Sequence, residues 1–284
     1  MRKLRIVTRS LLHRWDGAFP LIFIGIWILV SCVSLVWTPF SLSYTNGYNV
    51  WTTPSRVHWL GTDGAGVDSF SWLMAGSATE LLIVVIVAMV TLVVGIAGVA
   101  LTVTHSFGFN RVIIVVVDAL ISIPVIVVAL LCAAPYGATI VGVIVSCAFA
   151  YSLNLIRVVR PVATAAAASD YVVFARYKGK SDVRVFFDHI MPSIMPAVII
   201  NVSLAAATSI LAESGLTYLG VGVPSSVPSW GHSLATTSHY ISIHPSVVMW
   251  PGLIITLAVI ALNLVGDAMR EVVDPLTNPA LKEV

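Results

Sequence analysis

The sequence predicts an all-α polytopic membrane protein with six transmembrane helices and both termini in the cytosol. Three observations carry that prediction. The chain is 58% hydrophobic and 10% charged, with a mean hydropathy of +0.97, whereas soluble domains carry roughly 25% charged residues. Six apolar stretches, at 19–37, 81–103, 112–134, 137–157, 195–211 and 247–265, approach the ~17–25 residues that cross ~30 Å of hydrocarbon. With the N-terminus inside, fourteen of the fifteen Lys and Arg residues fall on the inner side and only Arg56 falls outside. That asymmetry is the positive-inside bias, which sets orientation.

Taken in order, residues 1–18 are a basic segment with Leu4, Val7, Leu11, Leu12 and Trp15 at near-helical spacing. The spacing predicts an interfacial helix with its Lys and Arg toward anionic headgroups; a purely topogenic tail is the alternative. The first span is too long for a signal-peptide core and lacks a small-residue cleavage site, so it is expected to remain in the protein. The transmembrane domain then runs over 19–267. Its outside loop 38–80 is rich in Trp, Tyr, Gly, Ser and Thr, with Trp51, Trp59 and Trp72 suited to an interfacial belt. Short turns at 104–111 and 134–137 flank the third span. The connector 157–192 is the one elaborate cytosolic loop and carries Arg157, Arg160, Arg176, Lys178, Lys180 and Arg184. A second outside loop at 212–246 holds three prolines and four glycines, a re-entrant or gate-like composition, since non-helical backbone at membrane depth is tolerated only against protein or water. Residues 268–284 form a cytosolic tail.

Chemistry is sparse. Cys32, Cys132 and Cys147 lie in apolar spans with no CxxC, so they read as buried hydrophobes and neither a disulfide framework nor a zinc site is expected. The Gly179-Lys180-Ser181 triplet ends like a phosphate loop, but the first glycine position of GxxxxGK[ST] is Phe174. His232, His239 and His244 share one loop without a carboxylate cluster and are expected to be solvated. No nucleophile–base constellation marks a membrane-embedded enzyme, so no catalytic residue and no metal site is predicted. No basic patch interleaved with aromatics points to nucleic acid.

Ionisable residues in spans are costly, at ~2.5–3.5 kcal/mol for a charge at the bilayer centre on insertion scales. Glu80, Glu213 and Asp267 stand at span ends, where headgroups or water are within reach. Asp118 lies two turns into the third span and is expected to face the bundle interior, with Arg157 or Arg160 as partner or with a role in solute passage. Asp118, Asn201 and Glu213 are the polar residues assigned to the bundle interior or the pathway. A secondary carrier would be expected to bury more than one such group.

Residues 170–196 consist of two helical stretches parted by Gly179, with Pro192 opening the next span. Glycine permits a turn that side chains resist, and proline at a helix start forfeits no hydrogen bond. An amphipathic helix followed by a bend into a span is a mechanical handle that passes on a partner's push as a rigid body. Asp182 is expected on its solvated side.

These residues resemble the "EAA" loop of the inner-membrane permease subunits of bacterial ABC importers, with Ala175, Gly179 and then Pro192 in place. More narrowly, the chain resembles the C-type permeases of the dipeptide/oligopeptide/nickel group. HWLGTDGAGVDSF at 58–70, Val117-Asp118 with Pro124, and RVVR at 157–160 are similar to that group, as are LAESGLTYLGVGV at 211–223, PSW-G at 228–231, PGL at 251–253 and NLVGDAMREVVDP at 263–275. The departures are Val173 and Phe174 for the usual Glu and Ala, and Val67 for an Arg. The resemblance implies the type I importer permease fold in the cell inner membrane and no catalysis by this chain. It implies a heterodimer with a second homologous permease, two cytosolic ATPase subunits or one fused ATPase, and an extracytoplasmic solute-binding protein. ATP and Mg belong to the ATPases, and no cofactor is implied on this chain. Asp170, Val173, Phe174, Ala175, Lys178, Gly179 and Pro192 become the ATPase-coupling residues. Dipeptides or oligopeptides are the implied cargo, with nickel, haem or another small solute as the alternative.

Overall fold

The computed structural model describes residues 15–43, 45–103 and 110–273. Ten helices are described: α1 Trp15–Ser34, α2 Ser69–Val103, α3 Asn110–Ile121, α4 Val125–Ala133, α5 Ile140–Ala167, α6 Asp170–Tyr177, α7 Asp182–Val185, α8 Met191–Tyr218, α9 Trp230–Thr237 and α10 Pro245–Val273. Among the described residues, four helices are long and apolar enough to cross a membrane: Ser69–Val103, Ile140–Ala167, Asp182–Tyr218 and Pro245–Arg270. Two shorter apolar helices, Ala18–Ser34 and Ile126–Tyr136, accompany them. Most of the basic 1–18 segment and of the 268–284 tail lies outside the described residues.

The expected third span is broken. Helix α3 ends at Ile121 and α4 begins at Val125, because Pro124 has no amide to donate and its ring drives Ile123 out of the helical region. The spans expected at 81–103, 195–211 and 247–265 extend well beyond those limits. Apolar run length marks only the part of a helix that meets hydrocarbon, so polar turns packed on protein go unseen. Helix α2 therefore absorbs the end of the expected 38–80 loop, and α5 absorbs the start of the 157–192 connector. The chain stays helical through Pro192. Its missing amide is accommodated by a slip to wider i→i−5 bonding over Phe186–Ile190, with Met191 N donating to Phe186 O. This slip joins α7 to α8 as one continuous helix over Asp182–Tyr218.

Helix α2 packs on α1, α5 and α8, and α10 packs on α1 and α8. Gly95 and Gly98 let α5 approach α2, since a Cβ there would lie 2.7 Å from Leu155 and 2.2 Å from Ile156. At the basic end of the bundle, Val99, Leu155, Val159, Phe186 and Ile194 form a core that also takes in Val172 and Ala175 of α6. At the opposite, aromatic end, Trp27, Leu73, Val84, Ile210 and Trp230 join α1, α2, α8 and α9. The two ends thus hold separate core clusters on shared helices.

Candidate functional site

At the basic end, α6 is a two-faced helix. Val172 and Ala175 are buried, while Val173, Phe174 and Tyr177 face out, Phe174 being 60% exposed. Spacing explains this, since 172 and 175 sit one turn apart on a single face. Ala175 lies on the inner face of the loop and anchors it to the core. Lys178 Nζ lies 4.6 Å from the Phe174 ring centroid, and Asp170 is exposed ahead of the patch.

Gly179 adopts φ +80°. Its amide donates to Arg176 O at 2.8 Å and the Lys180 amide to Ala175 O at 3.3 Å, the paired bonds that end a helix on a left-handed residue. Ser181 then caps α7 by accepting from Arg184 N, and Lys180 Nζ is 3.2 Å from Asp188 Oδ2. The Gly-Lys-Ser triplet is accounted for as a helix stop, an ion pair and a helix start. Asp182 is not the solvated residue expected; it lies 3.4 Å from Arg176 Nε with its side chain 20% exposed, so it fastens the turn. Pro192 is exposed.

Asp118 pairs with Arg160 at 2.7 Å, yet its side chain is 56% exposed. It does not face the bundle interior, because the break at Pro124 leaves α3 as a short helix on the flank of α2 and α5. Asn201 is half-buried and spends its amide on its own helix, donating to Ala197 O at 2.8 Å.

At the aromatic end, Glu80 and Glu213 do not reach headgroups or water, and Glu213 stands in the bundle interior, the other place given for it. Both are 0% exposed, because α2 and α8 continue past them and α9 closes over the gap. Their carboxyls lie within hydrogen-bonding reach of each other. Trp230 N donates to Glu80 Oε1 at 3.2 Å and Thr217 Oγ1 to Glu213 Oε1 at 2.8 Å. The AES and PSW-G motifs thus meet, a pairing that no local signal announces.

The expected loop 38–80 is a packed structure up to the start of α2. Asp68 accepts from Ser71 N at 2.8 Å and lies 2.9 Å from His58 Nδ1. Asp63 Oδ1 accepts from the Ala65 and Val67 amides. Of the three loop histidines His239 is exposed, as expected, while His232 and His244 are half-buried. His244 stacks on Trp51 at 4.7 Å, His239 leans on Tyr218 at 6.1 Å, and His232 lies 5.9 Å from Trp72.

Burial pushes the His232 imidazole below its ordinary value, with Asp63 opposing. The neutral ring is the form that fits. Its contribution is present above the unfolded value near ~6.5 and is lost as pH falls toward the folded one. The melting temperature is expected to decline below that pH in wild type and less so in His232→Asn; equal pH profiles would contradict this.

Residues 95–278 match the family described as binding-protein-dependent transport system inner membrane component. The chain is 29% identical over 267 residues to the nickel transport system permease protein NikC of Escherichia coli, covering 92% of this chain and 95% of the relative. It is 30% identical over 270 residues to a putative peptide transport system permease protein of Brucella suis, covering 95% and 91%. It is 27% identical over 257 residues to the oligopeptide transport system permease protein OppC of Bacillus subtilis, covering 90% and 84%.

Proposed function

From the premise that this chain belongs to the family of binding-protein-dependent transport system inner membrane components, we propose that it forms half of the pathway of an ATP-driven importer of peptides. A second, homologous permease completes the pathway. The basic end faces the cytosol, where two ATPase subunits, or one fused ATPase, bind ATP and Mg and grip α6. The aromatic end receives an extracytoplasmic solute-binding protein. Six membrane passes with both termini inside follow if α1 and the broken α3–α4 pair each cross once.

The observation that carries the reading is α6 itself. It offers Val173, Phe174 and Tyr177 outward on a helix whose other face is sunk in the core shared by α2, α5 and α8. Exposed aromatics on an anchored base suit a protein contact, since aromatic residues dominate interface energetics. The anchor makes a displacement of α6 a displacement of the spans. Lys178 and Asp170 border this patch. The peptide cargo is supported by relatives named for peptide and oligopeptide transport; NikC supports nickel as the second reading.

Cysteines at Ser226 and Ser181, both exposed, test the orientation. The first is expected to react with an impermeant thiol reagent from outside and the second only after the membrane is opened. The reverse pattern would overturn the topology. Uptake of labelled dipeptide against labelled nickel by cells expressing the full transporter decides the cargo, and dipeptide uptake is expected.

A further inference from the structure

The buried acid pair at the aromatic end has a role of its own. Glu80 of α2 and Glu213 of α8 meet where no Lys, Arg or His side chain pairs with either among the described residues. Glu80 Oε2 finds no N–H or O–H donor there. Its neighbour is the Glu213 carboxyl, which has no hydrogen to give when ionised. Two carboxylates side by side, out of water and without a cation, repel each other strongly, even with Trp230 N on Glu80 and the Thr217 and Ser214 hydroxyls on Glu213. A proton between them removes one charge and supplies the missing donor. The space is closed to anything much larger: a Cβ on Gly231 would lie 2.2 Å from Glu213 Oε2.

Helix α9 is built onto this pair. Trp230 N and the Gly231 amide both reach Glu80, and the Ser229 side chain reaches Glu213. Trp230 Nε1 donates to Leu73 O at 2.9 Å. The start of α9 therefore touches both spans through one polar point. Among the described residues, Cys147 on α5 is a titratable group that interacts with Glu213, and a thiol offers no positive charge.

We propose that Glu80 and Glu213 share one proton, and that this carboxyl–carboxylate bond positions α9 over the bundle as a releasable latch. With the proton in place, α2, α8 and α9 are held together. With the proton gone, like charges push α2 and α8 apart, and α9 cannot keep Trp230 N on Glu80 and Ser229 on Glu213 at once. The two states of the pair thus favour different positions of α9, which is what a gate element requires. The inference rests on the importer reading for its consequence in transport, but its test does not need transport.

The test uses the full chain in lipid nanodiscs, with whatever partner subunits co-purify. Infrared spectra of wild type are expected to show a protonated-carboxyl band that both Glu80→Gln and Glu213→Gln lack. Hydrogen exchange of the α9 amides is expected to stay within roughly twofold of wild type in Glu80→Gln, whose side-chain N–H replaces the shared proton. Glu80→Leu leaves Glu213 buried without that partner and is expected to speed exchange roughly tenfold or more. Gly231→Ala, which drives a methyl into the Glu213 carboxyl, is read the same way if the leucine variant does not assemble. A missing band in wild type, or a band surviving in both Gln variants, would overturn the shared proton. Exchange unchanged in Glu80→Leu or Gly231→Ala, or as fast in Glu80→Gln as in Glu80→Leu, would overturn the latch. Loss of uptake with these readouts intact would count against the importer reading alone.

Discussion

Trp230→Ala is expected to destabilise the protein by about 3–5 kcal/mol, the usual cost of truncating a fully enclosed Trp or Phe. Trp230 is 0% exposed and packs 5.2 Å from the Trp27 ring. Its indole N–H is spent on Leu73 O and its backbone N–H on Glu80. Truncation opens a cavity between α1, α2 and α9 and removes the indole bond to the Leu73 carbonyl, which keeps its place in the α2 ladder. Trp230→Phe keeps most of the ring and loses the indole hydrogen bond, a change of about 1 kcal/mol. Melting of the purified transporter in detergent should therefore rank wild type above Trp230→Phe, with Trp230→Ala lowest by several degrees. An unshifted Trp230→Ala would mean that α9 is not integral to the bundle.

The second large effect concerns coupling and should leave stability nearly untouched. Phe174 is 60% exposed, so Phe174→Ala is expected to change the stability of this chain by no more than about 0.5 kcal/mol, the usual range for surface substitutions. If the ring fills a pocket on an ATPase, its loss has the size of an interface hot spot, about 2 kcal/mol or more, and binding falls roughly thirtyfold. Gly179→Val acts by a different route. The left-handed φ of +80° costs L-residues about 1–2 kcal/mol, and a β-branched side chain tolerates it worst. The strain is relieved by misaiming the turn that links α6 to α7. Both variants should reach the membrane at normal levels yet lose solute uptake, together with the stimulation of ATP hydrolysis by loaded binding protein. Asp182→Ala should also weaken coupling, because the Arg176–Asp182 contact fastens that same turn. Wild-type uptake in Phe174→Ala and Gly179→Val together would remove this loop from the mechanism.

Much of the basic end was legible in the chain. Gly179 sits at a helix stop because only glycine takes that backbone at no cost, and such a demand is local. The outward turn of Val173 and Phe174 follows from helical period once Val172 and Ala175 are seen to be the inner face. The limits of the spans were less legible. Pro124 stood in plain view inside an apolar run, yet hydropathy averages over a single residue that breaks the helix. Residues 69–80 and 212–218 are helical because they pack on protein, and their mixed polarity hid this.

The sequence by itself determined that this is a helical membrane protein, which end carries the positive charge, and that a helix stops at Gly179. Those properties depend on residue type, run length and single-residue conformational preference. Only the tertiary structure decided that Glu80 and Glu213 face each other beneath Trp230 and Gly231, that Asp118 lies on the flank with Arg160, and that Asp182 is tied down. A charged residue at a helix end can face lipid headgroups, water or another helix. Its chemistry depends on which, and that choice is made by the packing of segments far apart in the chain.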